Sequence, residues 1–387
     1  MHRAVILSAV FSLACVPPDA PARTDTPAAI GSIAVSTTAS HATAMTSSSA
    51  SEAPVSSAAL LEDGPVPEPW GCPPIDAPIE QVAETTARVL GASGADLFWA
   101  DGEGVWMQSP GAQAKKIARG MAHVPPAQLI VTDDDVLLLS TRAAGSTCSS
   151  VVQTISRSGA TPAIAKTIFS GRCIKHVAAS KTHVAFLVAT YSPAEDWTSG
   201  NAFLLDRAKG GQPTKLDLVL PEVGALALTS TQLFATFNSG RLQMSRLENP
   251  NRFEMVTKTS AVRLNFASDD ARFLSLDDSF AYLYSTGATN AALRVLRVKL
   301  DGGVPEVVGL FQRDKTRLAG SGFVASERYI YFTIPSEGAV YRADKKGKCG
   351  VERVAEGRTA PLGLTFLEGA IHWTEATKPP AIFRRKE

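Results

Sequence analysis

Ser326-Glu327-Arg328-Tyr329-Ile330-Tyr331-Phe332-Thr333, at the centre of residues 320–357, decides how this chain folds. The polar turn Ser326-Glu327-Arg328 ends a short apolar strand, Gly322–Ala325, and opens a second, Tyr329–Ile334. The second strand is aromatic or β-branched throughout, which suits a packed, pleated surface. Pro335-Ser336-Glu337-Gly338 then turns the chain, because proline presets φ and glycine accepts a positive φ. Residues 339–343 make a third strand, Lys345-Lys346-Gly347-Lys348 begins another turn, and Val351–Ala355 makes a fourth. Four short strands joined by tight turns form one small antiparallel sheet. Its middle strands are apolar at nearly every position, so both faces must be covered. A sheet of the same kind on either side does that.

The neighbours are in the sequence. Aligned at the apolar start of the second strand, copies fall at Leu97, Val136, Val184, Leu233, Ala281, Ile330 and Ile371. A polar turn precedes each, such as Asp133-Asp134-Asp135, Lys181-Thr182-His183 and Asp277-Asp278-Ser279. The spacing of about 40 to 50 residues is that of propeller blades. The predicted fold class is all-β: a seven-bladed β-propeller of four-stranded antiparallel blades. Six blades is the alternative, if the Leu233 or Ala281 copy is irregular. A β-sandwich fits less well, since it has no constant repeat length. The last copy, residues 359–385, holds only three strands. The stretch Ile79-Glu80-Gln81-Val82-Ala83 is therefore expected to lend the fourth, closing the ring and removing an open edge.

Upstream, residues 1–15 read as a targeting segment: His2-Arg3 is positive, and the apolar run after it is too short to span a bilayer. Its end, Ser12-Leu13-Ala14-Cys15, resembles the lipobox of bacterial lipoproteins, although Ser12 stands where an aliphatic residue is usual. The resemblance implies lipidation of Cys15 and, with Val16 next, an outer-membrane or cell-surface address. Ordinary secretion with cleavage after Ala20 or Ala22 is the alternative, leaving a periplasmic or secreted protein. Residues 16–69 are rich in Ser, Thr, Ala and Pro and cannot bury enough surface to fold, so they read as a disordered linker. Residues 70–387 remain for the propeller. The net charge of +1 argues against nucleic acid and against a charged membrane surface, so membrane contact is expected through the lipid anchor only.

With Cys15 lipidated, four of the five cysteines remain, an even number suited to an oxidising compartment. The favoured pairs are Cys148 with Cys173, pinning a long hairpin, and Cys72 with Cys349, stapling the lead-in near the closure. Buried, reduced thiols are the alternative. There is no C-x-x-C spacing to indicate zinc.

Leu97-Phe98-Trp99-Ala100-Asp101 and Ile371-His372-Trp373-Thr374-Glu375 resemble the YWTD repeat of lipoprotein-receptor propellers, and NHL-type propellers carry similar degenerate repeats. The resemblance implies a blade-packing role for Trp99, Asp101, Trp373 and Glu375, with ligand contact as the alternative. Known YWTD propellers have six blades, from which seven copies depart.

No phosphate-binding Gly-rich loop, H-E-x-x-H or G-x-S-x-G occurs. No cofactor is expected; Asp133-Asp134-Asp135 could hold Ca2+ or another divalent metal, but it sits where the repeat demands a turn. The candidate binding residues are Trp197, on an insertion over residues 191–201, and Trp99, His372 and Trp373. No catalytic residue is indicated. The reading is a non-catalytic, surface-tethered binding propeller with a protein or glycan partner at one ring face. The alternatives are a lactonase-like hydrolase or lyase with a channel metal, and a scaffold in an envelope complex.

Overall fold

The computed structural model describes residues 72–119, 126–144, 147–157, 162–171, 173–192, 197–217, 223–237, 241–258, 273–286, 292–312 and 321–387. Blade 1 runs through Val89–Ser93, Asp96–Ala100, Val105–Gln108 and Lys115–Arg119, and blade 2 through Pro126–Val131, Asp135–Ala144, Thr147–Ser156 and Lys166–Gly171. Blade 3 holds Ile174–Ala179, His183–Ser192, Trp197–Asp206 and Thr214–Lys215; blade 4 holds Val223–Leu228, Gln232–Phe237, Leu242–Arg246 and Phe253–Met255. Blade 5 is Phe273–Leu276, Phe280–Thr286, Ala292–Lys299 and Glu306–Gln312, and blade 6 is Gly322–Ala325, Tyr329–Ile334, Ala339–Asp344 and Val351–Ala355. Blade 7 combines Pro361–Leu367, Ala370–Glu375 and Ala381–Lys386 with Glu80–Glu84 from the other end of the chain.

First strands of successive blades touch in a closed circuit, so they surround the axis and the fourth strands form the rim, except in blade 1, where Ala163–Ile164 pairs parallel outside Lys115–Arg119 as a fifth strand. The count is seven: the Leu233 and Ala281 copies are regular, pairing with Ser245 and Val298. The alternation of side chains explains the apolar second strands. In blade 1, Leu97 and Trp99 pack toward blade 7, while Phe98 and Ala100 pack toward blade 2. Every joint between blades has one such core, seven in all. At the joint of blades 5 and 6, Tyr284 lies edge-on to Phe332 at 5.9 Å, and Phe332 stacks on Tyr341 at 5.4 Å. Each such side chain stabilises the ring by roughly 1.5–3 kcal/mol through area removed from water.

Glu80–Glu84 pairs antiparallel with Ala381–Lys386, and Glu80 meets Arg384 at 2.6 Å. The lead-in before it is fastened to blades 6 and 7. A disulfide joins Cys72 to Cys349, Arg342 donates to the Pro73 carbonyl, and Arg385 donates to those of Ile75, Ala77 and Val354. Cys72, Ile75 and Ile79 then complete the core around Tyr331, Cys349 and Trp373.

A further device recurs at the position just past the third strand in blades 2 to 7. Its N–H closes the turn, and its side chain reaches the preceding blade. Arg157 reaches Asp96 at 3.8 Å and covers the Phe98 ring; Arg207 pairs with Asp135; Lys345 meets Asp277 at 2.8 Å. Glu387 accepts from Tyr331 at 2.5 Å and Ser326 at 2.9 Å. In blades 4 and 5 the same position is Leu247 or Leu300, packed on an apolar core instead.

Candidate interaction face

Strand order gives the ring two unlike faces. One carries the turns between first and second strands and between third and fourth strands. It also receives the chain, since Cys72 is bonded to Cys349 in such a turn and Glu80 begins the closing strand there. The far face carries the turns between second and third strands and the links between blades.

The far face is where the blades differ. The second strands of blades 2 and 3, Asp135–Ala144 and His183–Ser192, are ten residues long, against five to seven in the other blades. In blade 2 the inner strand ends with Pro126 opposite Ser140, and residues 141–144 run on as a hairpin paired with 147–150. In blade 3 Ile174 lies opposite Val188, and residues 189–192 continue with 197–200. Four residues beyond the inner strand raise each hairpin about 13 Å at roughly 3.3 Å per residue. Elsewhere the second strand outruns its inner neighbour by two residues or fewer.

An isolated hairpin is marginal in water, so the base of this pair needs fastening. Polar residues in otherwise apolar strands supply it. The Ser150 hydroxyl, only 1% exposed, lies 2.9 Å from the Thr141 hydroxyl and accepts from the Ile174 N–H at 2.9 Å. Thr141 also reaches the Ile174 carbonyl at 3.3 Å. The Gln128 amide imitates a strand: it donates to the Val177 carbonyl at 2.8 Å and accepts from the Val177 N–H at 2.9 Å. Above these bonds a disulfide joins Cys148, in the hairpin, to Cys173, the residue before blade 3. Arg142 and Ser149 face each other across the raised hairpin and are exposed.

The sequence candidates fall elsewhere or at the edge of what is described. The insertion expected over residues 191–201 is instead a strand extension, because Trp197 opens the third strand opposite Ser192. The Trp197 side chain and Cys15 lie outside the described residues. Trp99 is 2% exposed and stacks on Trp106; Trp373 is fully buried, donates to Glu375 at 2.5 Å and stacks on Phe383. As ligand contacts these two are corrected: the same apolar alternation that makes the blade turns them into its joints. Asp101 accepts from the N–H groups of Glu103 and Gly104, and Glu375 holds Arg358. His372 is buried with its Nδ1 unpartnered, and burial holds its pKa at about 4, so it too is closed to a ligand. His176 lies within the inner strand of blade 3, and burial likewise lowers it to about 4. Asp133-Asp134-Asp135 is a turn engaged by Lys181 and Arg207. Among the described residues no three of His, Cys, Asp and Glu gather as a metal cluster. A cleft of about 300 Å³ on blade 4, lined by Met244, Arg246, Glu248, Asn249, Arg252 and Glu254, has its charges already paired at 3.7 Å.

No protein-family model matches the chain, and no curated protein matches it. The fold is shared with solved propellers. The β-propeller domain of Cps50 (Swd1) from Myceliophteria thermophila is 13% identical with a TM-score of 0.56, over 80% of this chain and 99% of that one. Virginiamycin B lyase from Staphylococcus aureus is 10% identical with a TM-score of 0.53, over 80% and 99%. A streptogramin B lyase is 13% identical with a TM-score of 0.52, over 79% and 96%. At such identities the likeness is one of fold alone.

Proposed function

We propose that this chain is a tethered, non-catalytic binding propeller that presents the paired hairpins of blades 2 and 3 to a protein partner. One observation carries the reading: among the described residues these hairpins alone stand about 13 Å above their inner strands, and they do so on the face opposite the one that receives the chain. The Cys72 disulfide lies on the other face, in the turn that holds Cys349. Lipidation of Cys15, the linker over residues 16–69 and two disulfides fit an exported protein held at the cell envelope, since disulfides persist in oxidising compartments. No cofactor enters this reading. Among the described histidines, His176 and His372 are held neutral by burial, and His183 sits on the receiving face with Thr182 at 2.8 Å.

The test is capture from crosslinked envelopes with the full chain and with a trimmed variant. In the variant, residues 142–149 give way to an Asn-Gly turn and Cys173→Ser removes the stranded thiol. The intact chain is expected to retain a protein that the trimmed one loses. Equal capture by both, with both rings folded, contradicts the reading.

A further inference from the structure

The two disulfides sit in different surroundings. Cys349 is 5% exposed and, with the half-buried Cys72, packs among Tyr329, Tyr331 and Trp373 under the ring closure. Cys148 and Cys173 are both half-buried, on the far face, where the hairpin of blade 2 leaves its inner strand. Thiol–disulfide exchange requires a thiolate to reach a sulfur, so access selects which bond is opened. Cys173 also holds a left-handed backbone, φ 47°, which is uncommon for a side-chain-bearing residue and persists only where its surroundings impose it. Below the bond, Thr141, Ser150 and Ile174 keep the hairpin base on blade 3. Above that network the disulfide is the covalent tie between the hairpin and the link to blade 3.

From this contrast we infer that Cys148–Cys173 is a redox-labile pin that sets the shape of the presenting face, while Cys72–Cys349 is a structural bond of the ring. The inference rests on the reading of that face given above. Opening the pin breaks one S–S bond and makes two thiols. The two electrons and two protons come from a dithiol reductant, which closes to its own disulfide. The oxidised protein holds the blade 2 hairpin upright against blade 3. The reduced protein keeps all seven blades and the hairpin base at Thr141 and Ser150, but releases residues 142–149 and lets Cys173 leave its left-handed conformation.

The experiment uses the full chain, titrated with dithiothreitol, with thiol alkylation and hydrogen–deuterium exchange read by mass spectrometry. Cys148 and Cys173 are expected to become alkylated at reductant concentrations at least tenfold below those that open Cys72–Cys349. Exchange should rise at least tenfold within residues 142–149 and stay unchanged in residues 322–355 and 361–386. A Cys148→Ser/Cys173→Ser variant should show the same exchange pattern without reductant. Simultaneous opening of both bonds, or an unchanged hairpin in the double variant, overturns the inference. Loosened hairpins with undiminished partner capture leave the pin standing and sink the presenting-face reading instead.

Discussion

Removing each disulfide in turn should show that the two are worth different amounts to the ring. Cys72–Cys349 closes a loop with a sequence separation of 277, and Cys148–Cys173 one of 25. In the chain-entropy model the first restrains the unfolded chain by about 5.5 kcal/mol and the second by about 3.5 kcal/mol. The difference, about 2 kcal/mol, depends only on the ratio of loop lengths. Packing widens it, because Cys349 is part of the core with Tyr331 and Trp373 whereas Cys148 and Cys173 are half-buried. Urea unfolding of Cys72→Ala/Cys349→Ala and Cys148→Ala/Cys173→Ala, followed by tryptophan fluorescence, measures both. The first variant should lose roughly 4–6 kcal/mol and the second no more than about 3.5 kcal/mol. An equal or larger loss from the Cys148–Cys173 pair refutes the reading of Cys72–Cys349 as the structural bond of the ring.

Arg358→Ala strands the Glu375 carboxylate, which is 2% exposed, and should cost about 3–5 kcal/mol by thermal melting. Arg353→Ala, whose contact with Glu356 is exposed, should cost less than about 1 kcal/mol in the same assay. The imidazole of His372 takes a proton near 6.5 when unfolded but, because burial lowers it, only near 4 when folded. Its contribution is therefore complete above pH 6.5 and falls away as the pH drops toward 4, by up to about 3 kcal/mol. A pH series of urea midpoints should show that slope, and His372→Phe should reduce it, leaving the share that His176 contributes. Gly338 has φ 59°, and a Cβ there would run into the Arg358 carbonyl, so Gly338→Ala should lower stability by at least about 1 kcal/mol in urea.

Much of the fold was legible because the blade is a local unit. Tyr329–Ile334 and its turn read correctly to the residue, since strand propensity, turn chemistry and two-sided burial all agree there. The loan of the first strand to blade 7 was legible from the missing fourth strand in the last copy. What the local reading could not reach were contacts between blades. Gln128 meets Val177 across 49 positions and Ser150 meets Ile174 across 24, and nothing in either neighbourhood marks them as partners. The joint clamps leave only a faint signal in the sequence: Arg157 and Arg207 share one phase of the repeat, each just past a third strand. Trp99, His372 and Trp373 were offered as ligand contacts because aromatic and imidazole side chains suit binding as well as packing; their burial decides for packing. The raised hairpin of blade 3 read as a loop because Ser192-Pro193 and Glu195-Asp196 carry turn chemistry, while the pairing that extends the strands lies on either side of them.

The presenting-face claim is tested most directly by site-specific photocrosslinking in intact cells. A photoreactive residue placed at Arg142 or Ser149 on the raised hairpin should yield a discrete, higher-mass protein adduct. The same probe at Lys346 or Lys209, both exposed on the receiving face, should yield none. Adducts from the receiving face with silence from the hairpin contradict the account.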